Sequence, residues 1–86
     1  MMEKRVVIRL QHGLQARCAN QFVQKSSSFN SEISIIKNGR MVAGKGIMGV
    51  MALAIRKGEE ITLLANGSDE QEAIATLESF LCSREC

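Results

Sequence analysis

The chain has 86 residues, a formal net charge of +2 and an apolar fraction of 45%. That length supports one small core, and the apolar content is typical of globular proteins, which excludes a disordered chain. No run approaches the roughly 18 apolar residues of a membrane-spanning helix, and Arg9 and Gln11 interrupt the N-terminal apolar stretch, unlike a signal peptide. We therefore expect a single cytoplasmic domain over residues 1–86, without membrane association.

The charges are unevenly distributed along the chain. Residues 1–57 carry ten basic and two acidic side chains, whereas residues 58–86 carry one basic and seven acidic ones. Such asymmetry favours a basic face that attracts an acidic partner, unless folding intermixes the two sets. The chain has three Phe, no Tyr and no Trp, and it lacks a recognised nucleic-acid motif. Direct binding of DNA or RNA is therefore not expected.

The first half of the chain predicts one helix and three strands. Alternating apolar residues in RVVIRL predict a strand over residues 5–10. Apolar residues at helical spacing predict a helix over residues 16–29, ending in a serine-rich stretch. Residues 32–37 and 40–43 are predicted to form a hairpin, because Asn38-Gly39 suits a type I′ turn with two positive φ angles.

The second half predicts a strand between two helices. Residues 47–54, IMGVMALA, are apolar nearly all round, which fits a short helix or a buried strand, and the flanking glycines favour the helix. Residues 60–66 alternate and predict a strand. The overlapping capping signals of residues 68–71 and 69–72 predict the start of the last helix.

The resulting order, βαββαβα, predicts an α+β fold. The economical arrangement is an open-faced β-sandwich, in which a four-stranded antiparallel sheet carries three helices on one face. The two longer helices should run antiparallel, and this brings the start of the first helix near the end of the last.

Two motifs at matched spacing resemble those of a known family. Residues 13–19 read GLQARCA and residues 45–51 read KGIMGVM. They are similar to the active loop, Gly-(Leu/Ile)-His-Ala-Arg-Pro-Ala, and the regulatory segment, Lys-Ser-Ile-Met-Gly-(Val/Leu)-Met, of the HPr family of sugar-phosphotransferase phosphocarriers. The resemblance covers essentially the whole chain and implies the HPr-like fold.

Both reactive positions of that family differ in this chain. Gln15 stands where the family carries its phosphorylated His, and Gly46 stands where it carries a regulatory Ser. A carboxamide nitrogen is neither a good nucleophile nor a good leaving group, and glycine has no hydroxyl. The Crh-type members of the family share the Gln and do not relay phosphate. The resemblance therefore implies a regulator of carbon metabolism that is not an enzyme and needs no cofactor.

The resemblance also implies a surface that docks on proteins. Its expected partner-binding residues are Gln15, Arg17, Asn20, Gln24, Ile47, Met48 and Met51. Arginine is favoured at binding hot spots, and exposed flexible methionines are common on protein-binding surfaces. In the short helix, Val50 and Leu53 should face the core, leaving Ile47, Met48 and Met51 as an apolar patch. The implied partners are a catabolite control repressor, the HPr kinase or a metabolic enzyme.

Two alternatives remain open. His12 is the only imidazole, and a phosphocarrier would use it as an unorthodox acceptor, although it lies outside the expected helix start. A homodimer formed by exchange of the first strand about the Gly13 loop is compatible with the docking hypothesis.

The three cysteines, Cys18, Cys82 and Cys86, lack the even number and spacing of a disulfide framework. We expect free thiols. A cross-link from Cys18 to the end of the last helix, or a zinc site with His12, is the alternative. No metal is expected, because no metal-ligand spacing occurs.

Overall fold

The computed structural model describes all residues from Met1 to Cys86. The strands are β1 (Met2–Val7), β2 (Glu32–Lys37), β3 (Arg40–Ala43) and β4 (Glu60–Asn66); the helices are α1 (Ala16–Ser27), α2 (Ile47–Ala52) and α3 (Glu70–Cys82). This order, βαββαβα, confirms the prediction from the sequence. No helix is both long enough and apolar enough to span a bilayer.

The four strands form one antiparallel sheet in the order β1-β4-β2-β3. In the β2–β3 hairpin, Lys37 pairs with Arg40, and the two residues between them have φ angles of 51° and 80°. These two residues are Asn38 and Gly39, so the predicted type I′ turn is confirmed.

The first strand lies three residues earlier than predicted. It pairs with β4 from Met2 opposite Ala65 to Val7 opposite Glu60. Ile8 and Leu10 are fully buried although the strand has already ended. The N–H of Ile8 still donates to the carbonyl of Glu59, at 2.9 Å. The apolar alternation therefore predicted correctly which side chains are buried. The strand itself ends at Val7, because its partner β4 begins opposite it at Glu60.

A single cluster of 19 buried apolar residues lies between the sheet and the helices. Alternate residues of β2 and β4 enter it, and all three helices contribute to the same cluster. All three helices therefore cover one face of the sheet. On the other face, Ser34, Thr62 and Leu64 are half-buried.

Helices α1 and α3 run antiparallel, as predicted. The rings of Phe22 and Phe80 lie 6.4 Å apart, centroid to centroid, at an interplanar angle of 46°. At the start of α1, Cys18 is bonded to Cys86, which follows the end of α3.

Three helix ends differ from their predictions. Helix α1 ends at Ser27, two residues before the predicted end at residue 29. Helix α2 stops at Ala52, and Ala54 has a φ of 49°, which a helix cannot accommodate. The predicted capping of α3 is wrong, because the N-cap residue Asp69 makes no side-chain bond to the helix. Its carboxylate instead accepts hydrogen bonds from Asn30 and Ser31. Long-range partners have replaced the local ones.

Candidate functional site

The loop before α1 is fixed against the segment that follows α2. The N–H of Leu14 donates to the carbonyl of Ile55 at 3.0 Å. Gly13 has a φ of 74°, and a Cβ there would overlap that carbonyl oxygen and lie 2.9 Å from the Cα of Arg56. Only glycine meets both requirements. The Gly-Leu pair of the first motif therefore positions the start of α1.

Gln15 is the N-cap residue of α1, with an extended backbone at φ −135° and ψ 160°. Its carbonyl accepts the N–H of Cys18 at 3.1 Å, but its side chain does not cap the helix. The carboxamide is exposed to solvent. Ala16, which follows, has a left-handed φ of 50°, a strained conformation for a residue with a Cβ. The amide is thus displayed at the helix start with its hydrogen-bonding groups available.

Arg17, Asn20 and Gln24 follow on one face of α1. Their spacing of three and then four residues aligns them along the helix, and all three are exposed. None of the three takes part in an ion pair or a side-chain hydrogen bond within the chain. This face is polar and carries one positive charge.

Helix α2 supplies the apolar part of the candidate site. Met48 and Met51 are 81% and 45% exposed, whereas Val50 and Leu53 are buried as predicted. Ile47 differs from the prediction, because it is half-buried and packs against the core. The exposed apolar patch therefore consists mainly of the two methionines.

The two faces adjoin because α1 and α2 run antiparallel. At one end, Leu14 is bonded to Ile55; at the other, the Nζ of Lys45 donates to the carbonyl of Phe29 at 2.7 Å. The end of α2 thus lies by the start of α1. We call the combined surface the α1–α2 surface; it comprises Gln15, Arg17, Asn20, Gln24, Ile47, Met48 and Met51.

Gly46 is the N-cap residue of α2. Its φ and ψ are −112° and 111°, and its carbonyl accepts the N–H of Val50 at 3.1 Å. A Cβ at this position would meet only the carbonyl oxygen of Ala43, at 3.7 Å. Other residues would therefore fit, and no steric requirement explains the glycine.

A pocket of about 230 Å³ lies beside Arg17. It is lined by Gln11, His12, Arg17, Cys18, Arg84, Glu85 and Cys86. His12 is exposed and borders the pocket from the turn before Gly13, outside the first turn of α1. Arg84 and Glu85 were not predicted to lie in this neighbourhood, although the predicted antiparallel packing of the two longer helices indicated that the chain end lies here.

The expectation of three free thiols is wrong in this structure, and the alternative, a cross-link from Cys18 to the chain segment after the last helix, is found instead. Cys18 and Cys86 form a disulfide with their Cα atoms 5.4 Å apart, and Cys82 alone is a free, exposed thiol. No group of three or more His, Cys, Asp or Glu residues is arranged to hold a metal ion. Cysteine number and spacing do not report this pairing, because it depends on how α1 and α3 pack.

Fold and motifs together define a class of protein. The family profile described as "PTS HPr component phosphorylation site" matches residues 2–83, and the chain belongs to this HPr family. It is similar to the HPr-like protein Crh of Halalkalibacterium halodurans, with 52% identity over 94% of this chain and 96% of the relative. It is also similar to the HPr-like protein Crh of Bacillus subtilis, with 46% identity over 94% of this chain and 95% of the relative.

Solved structures agree with this placement. The phosphocarrier HPr of Bacillus anthracis superposes with a TM-score of 0.92 at 45% identity, covering 93% of this chain and 95% of that one. A crystal structure of Bacillus subtilis Crh gives a TM-score of 0.78 at 43% identity, over 100% of this chain and 99% of that one. That structure is described as a dimer with a swapped domain.

Proposed function

We propose that this protein is a regulator of carbon metabolism that docks on protein partners through the α1–α2 surface and does not relay phosphate. One observation carries the proposal. The α1–α2 surface is largely exposed, while Gln15 on this surface and Gly46 next to it have no side-chain group that accepts phosphate.

The chemistry of Gln15 supports the absence of relay. A phosphocarrier needs a nitrogen that attacks a phosphoryl donor and then leaves readily, as an imidazole does. The nitrogen lone pair of a carboxamide is delocalised into its carbonyl and does neither. The exposed amide instead offers a donor and an acceptor at the helix start, which suits recognition of a partner.

The composition of the α1–α2 surface supports docking on a protein. Met48 and Met51 supply flexible apolar area, and Arg17 supplies a planar cation with no partner inside the chain. A small apolar centre bordered by polar side chains is the usual anatomy of a transient protein interface. An acidic, partly apolar face on the partner would complement it.

A catabolite control repressor is the partner we propose first, because the chain is similar to relatives named Crh. The HPr kinase or a metabolic enzyme is the second class of partner. Since Gly46 lacks a hydroxyl, docking would not depend on phosphorylation at that position. The decisive test is binding of the purified, unphosphorylated protein to each purified candidate by calorimetry. Micromolar binding to one of them supports the proposal, and no binding at 100-fold higher concentration contradicts it.

A second candidate function follows from the position of His12. This imidazole lines the same pocket as Arg17, so a phosphoryl group on it would have a cation nearby. Incubation with phosphoenolpyruvate and the first enzyme of the phosphotransferase system would test this. Addition of one phosphoryl group by intact mass, lost in a His12→Gln variant, supports relay; an unchanged mass excludes it.

We also propose that the protein forms a homodimer by exchange of β1, by analogy with the swapped Bacillus subtilis Crh. The segment between β1 and α1 would act as the hinge, because it contains Gly13 and belongs to no helix or strand. Light scattering coupled to size exclusion would measure the mass. A monomer at all concentrations, including after slow refolding, would exclude the dimer.

A further inference from the structure

The disulfide between Cys18 and Cys86 cross-links the start of α1 to the end of the chain. Cys18 lies in the first turn of α1, and Cys86 lies 68 residues later, four residues after α3 ends. The Cα separation of 5.4 Å is within the range at which cysteines bond without backbone movement. The fold itself therefore brings the two thiols into bonding position.

The pair is reachable from solvent. Both cysteines are half-buried, and both line the pocket of about 230 Å³ that opens beside Arg17. Small thiols and disulfides can therefore reach the sulfur atoms, which exchange requires. Arg17, Arg84 and Glu85 line the same pocket, so a charged reagent would meet both signs there. A purely structural disulfide is normally shielded from such exchange.

We propose that Cys18 and Cys86 are a reversible redox site that holds or releases the C-terminal segment, residues 83–86. The oxidant class is a low-molecular-weight disulfide. One protein thiolate attacks it, forming a mixed disulfide and releasing one small thiol. The second protein thiolate then attacks the mixed disulfide at the protein sulfur, forming the Cys18–Cys86 bond and releasing the second small thiol. The protein loses two hydrogens, and the small disulfide is reduced to two thiols.

Release of residues 83–86 follows from how few other contacts hold them. The N–H of Gln11 donates to the carbonyl of Arg84 at 2.8 Å. The other bonds of the segment, from Ser83 to Phe80 and Glu85, are local and do not tie it to α1. Reduction would therefore leave one long-range hydrogen bond and the packing of the half-buried Cys86 against the core, and the wall of the pocket formed by Arg84 and Glu85 would move away from Arg17.

The first test measures the bond directly in the full-length protein. After incubation with oxidised glutathione and removal of the reagent, we expect one alkylatable thiol in place of three and a mass loss of two hydrogens. Reduction with dithiothreitol should restore all three thiols. Because the bond closes a loop spanning most of the chain, we expect the oxidised form to melt roughly 10 °C or more above the reduced form.

Two cysteine variants make the result specific. Cys82→Ser should keep the reversible change in mass and melting temperature, because Cys82 is outside the pair. Cys86→Ser should abolish both changes while melting like the reduced protein. A stable mixed disulfide with glutathione, or a bond that includes Cys82, would overturn the proposal.

A second measurement follows the release of the segment. The Gln11 amide donates to the carbonyl of Arg84, and after reduction this is the only long-range hydrogen bond of residues 83–86. Hydrogen exchange at the Gln11 amide should therefore accelerate at least about tenfold on reduction. The amides inside β4 serve as the control and should change much less. Equal protection of Gln11 in both states would contradict release. None of these readouts involves a docking partner, so they test the redox site separately from the proposed function.

Discussion

Asp69 holds Ser31 with two hydrogen bonds to one carboxylate oxygen. The Oδ1 of Asp69 accepts the backbone N–H of Ser31 at 2.9 Å and also its hydroxyl, and Ser31 is fully buried. The Oδ2 accepts the N–H of Asn30 at 2.8 Å. The bond from the Ser31 hydroxyl is the main cause that lowers the pKa of Asp69, and the bond from Asn30 adds to it. The start of α3 is thereby attached to the start of β2.

This arrangement predicts a loss of stability in acid. The pKa of Asp69 is lowered in the folded protein from 3.8, so the folded state binds its proton less readily than the unfolded state. The stabilisation is therefore complete above about pH 5 and declines as the pH falls through 4 and below. The free energy of unfolding, measured by urea denaturation between about pH 2 and 6, should fall in this way. The fall should be smaller in the Asp69→Asn variant.

Glu59 and Glu70 also have lowered pKa values, through Lys37 and the N–H of Gly67 respectively, and they account for a decline that remains in the Asp69→Asn variant. Glu60→Gln is the matched control, because Glu60 is exposed on β4 and makes no ion pair or side-chain hydrogen bond; at about pH 6 it should change the free energy of unfolding much less than Asp69→Asn. If the stability of the Asp69→Asn protein fell with pH as steeply as that of the native protein, Asp69 would not contribute to the loss of stability in acid.

Docking through the α1–α2 surface predicts unequal effects of two methionine substitutions. Met48→Lys places a charge in the apolar patch and should weaken binding to the partner at least about tenfold, the effect of losing an interface hot spot. Met41→Lys is the control: Met41 is 64% exposed on β3 and faces away from Val42, which points towards α2. Calorimetric titration would compare the two. Equal affinities would place the partner elsewhere.

The space around Gly46 predicts that a phosphate acceptor can be restored. In Gly46→Ser, the new Cβ meets no atom closer than 3.7 Å, so the fold should be unchanged, and serine caps helices at least as well as glycine. The HPr kinase with ATP should then add one phosphoryl group, detected by intact mass. The native protein is the control and should gain none. A folded Gly46→Ser protein that stays unmodified would show that kinase recognition has also been lost.

Substitutions at two glycines with similar φ angles distinguish the cost of backbone strain from the cost of steric overlap. Gly13 and Gly39 have φ angles of 74° and 80°, but only at Gly13 would a Cβ collide with backbone, that of Ile55 and Arg56. Gly13→Ala should therefore lower the free energy of unfolding by about 1 to 3 kcal/mol more than Gly39→Ala, the usual cost of overpacking. Urea denaturation would measure both. Similar losses would mean that the loop before α1 adjusts readily.

Local patterns predicted the elements whose causes are local. Asn38-Gly39 specified its turn, because the φ angles depend on those two residues alone. The apolar residues of β2, β4 and α3 marked the buried faces correctly, because alternation and helical spacing follow from backbone geometry. The expected partner-binding residues of α1 came from the family resemblance, and their helical spacing places Arg17, Asn20 and Gln24 on one exposed face.

The family, the element order and the lack of a phosphate acceptor at residues 15 and 46 could all be read from the amino-acid sequence, since they follow from side-chain identity and short-range geometry. The sequence placed the start of α1 near the end of α3, but the tertiary structure was needed to show which individual side chains far apart in the chain meet. It paired Cys18 with Cys86, gave the carboxylate of Asp69 to Ser31 in place of its own helix, and half-buried Ile47. Each of these contacts depends on how the helices and the sheet pack together. A pattern among neighbouring residues does not say how far apart two distant side chains lie in the folded protein.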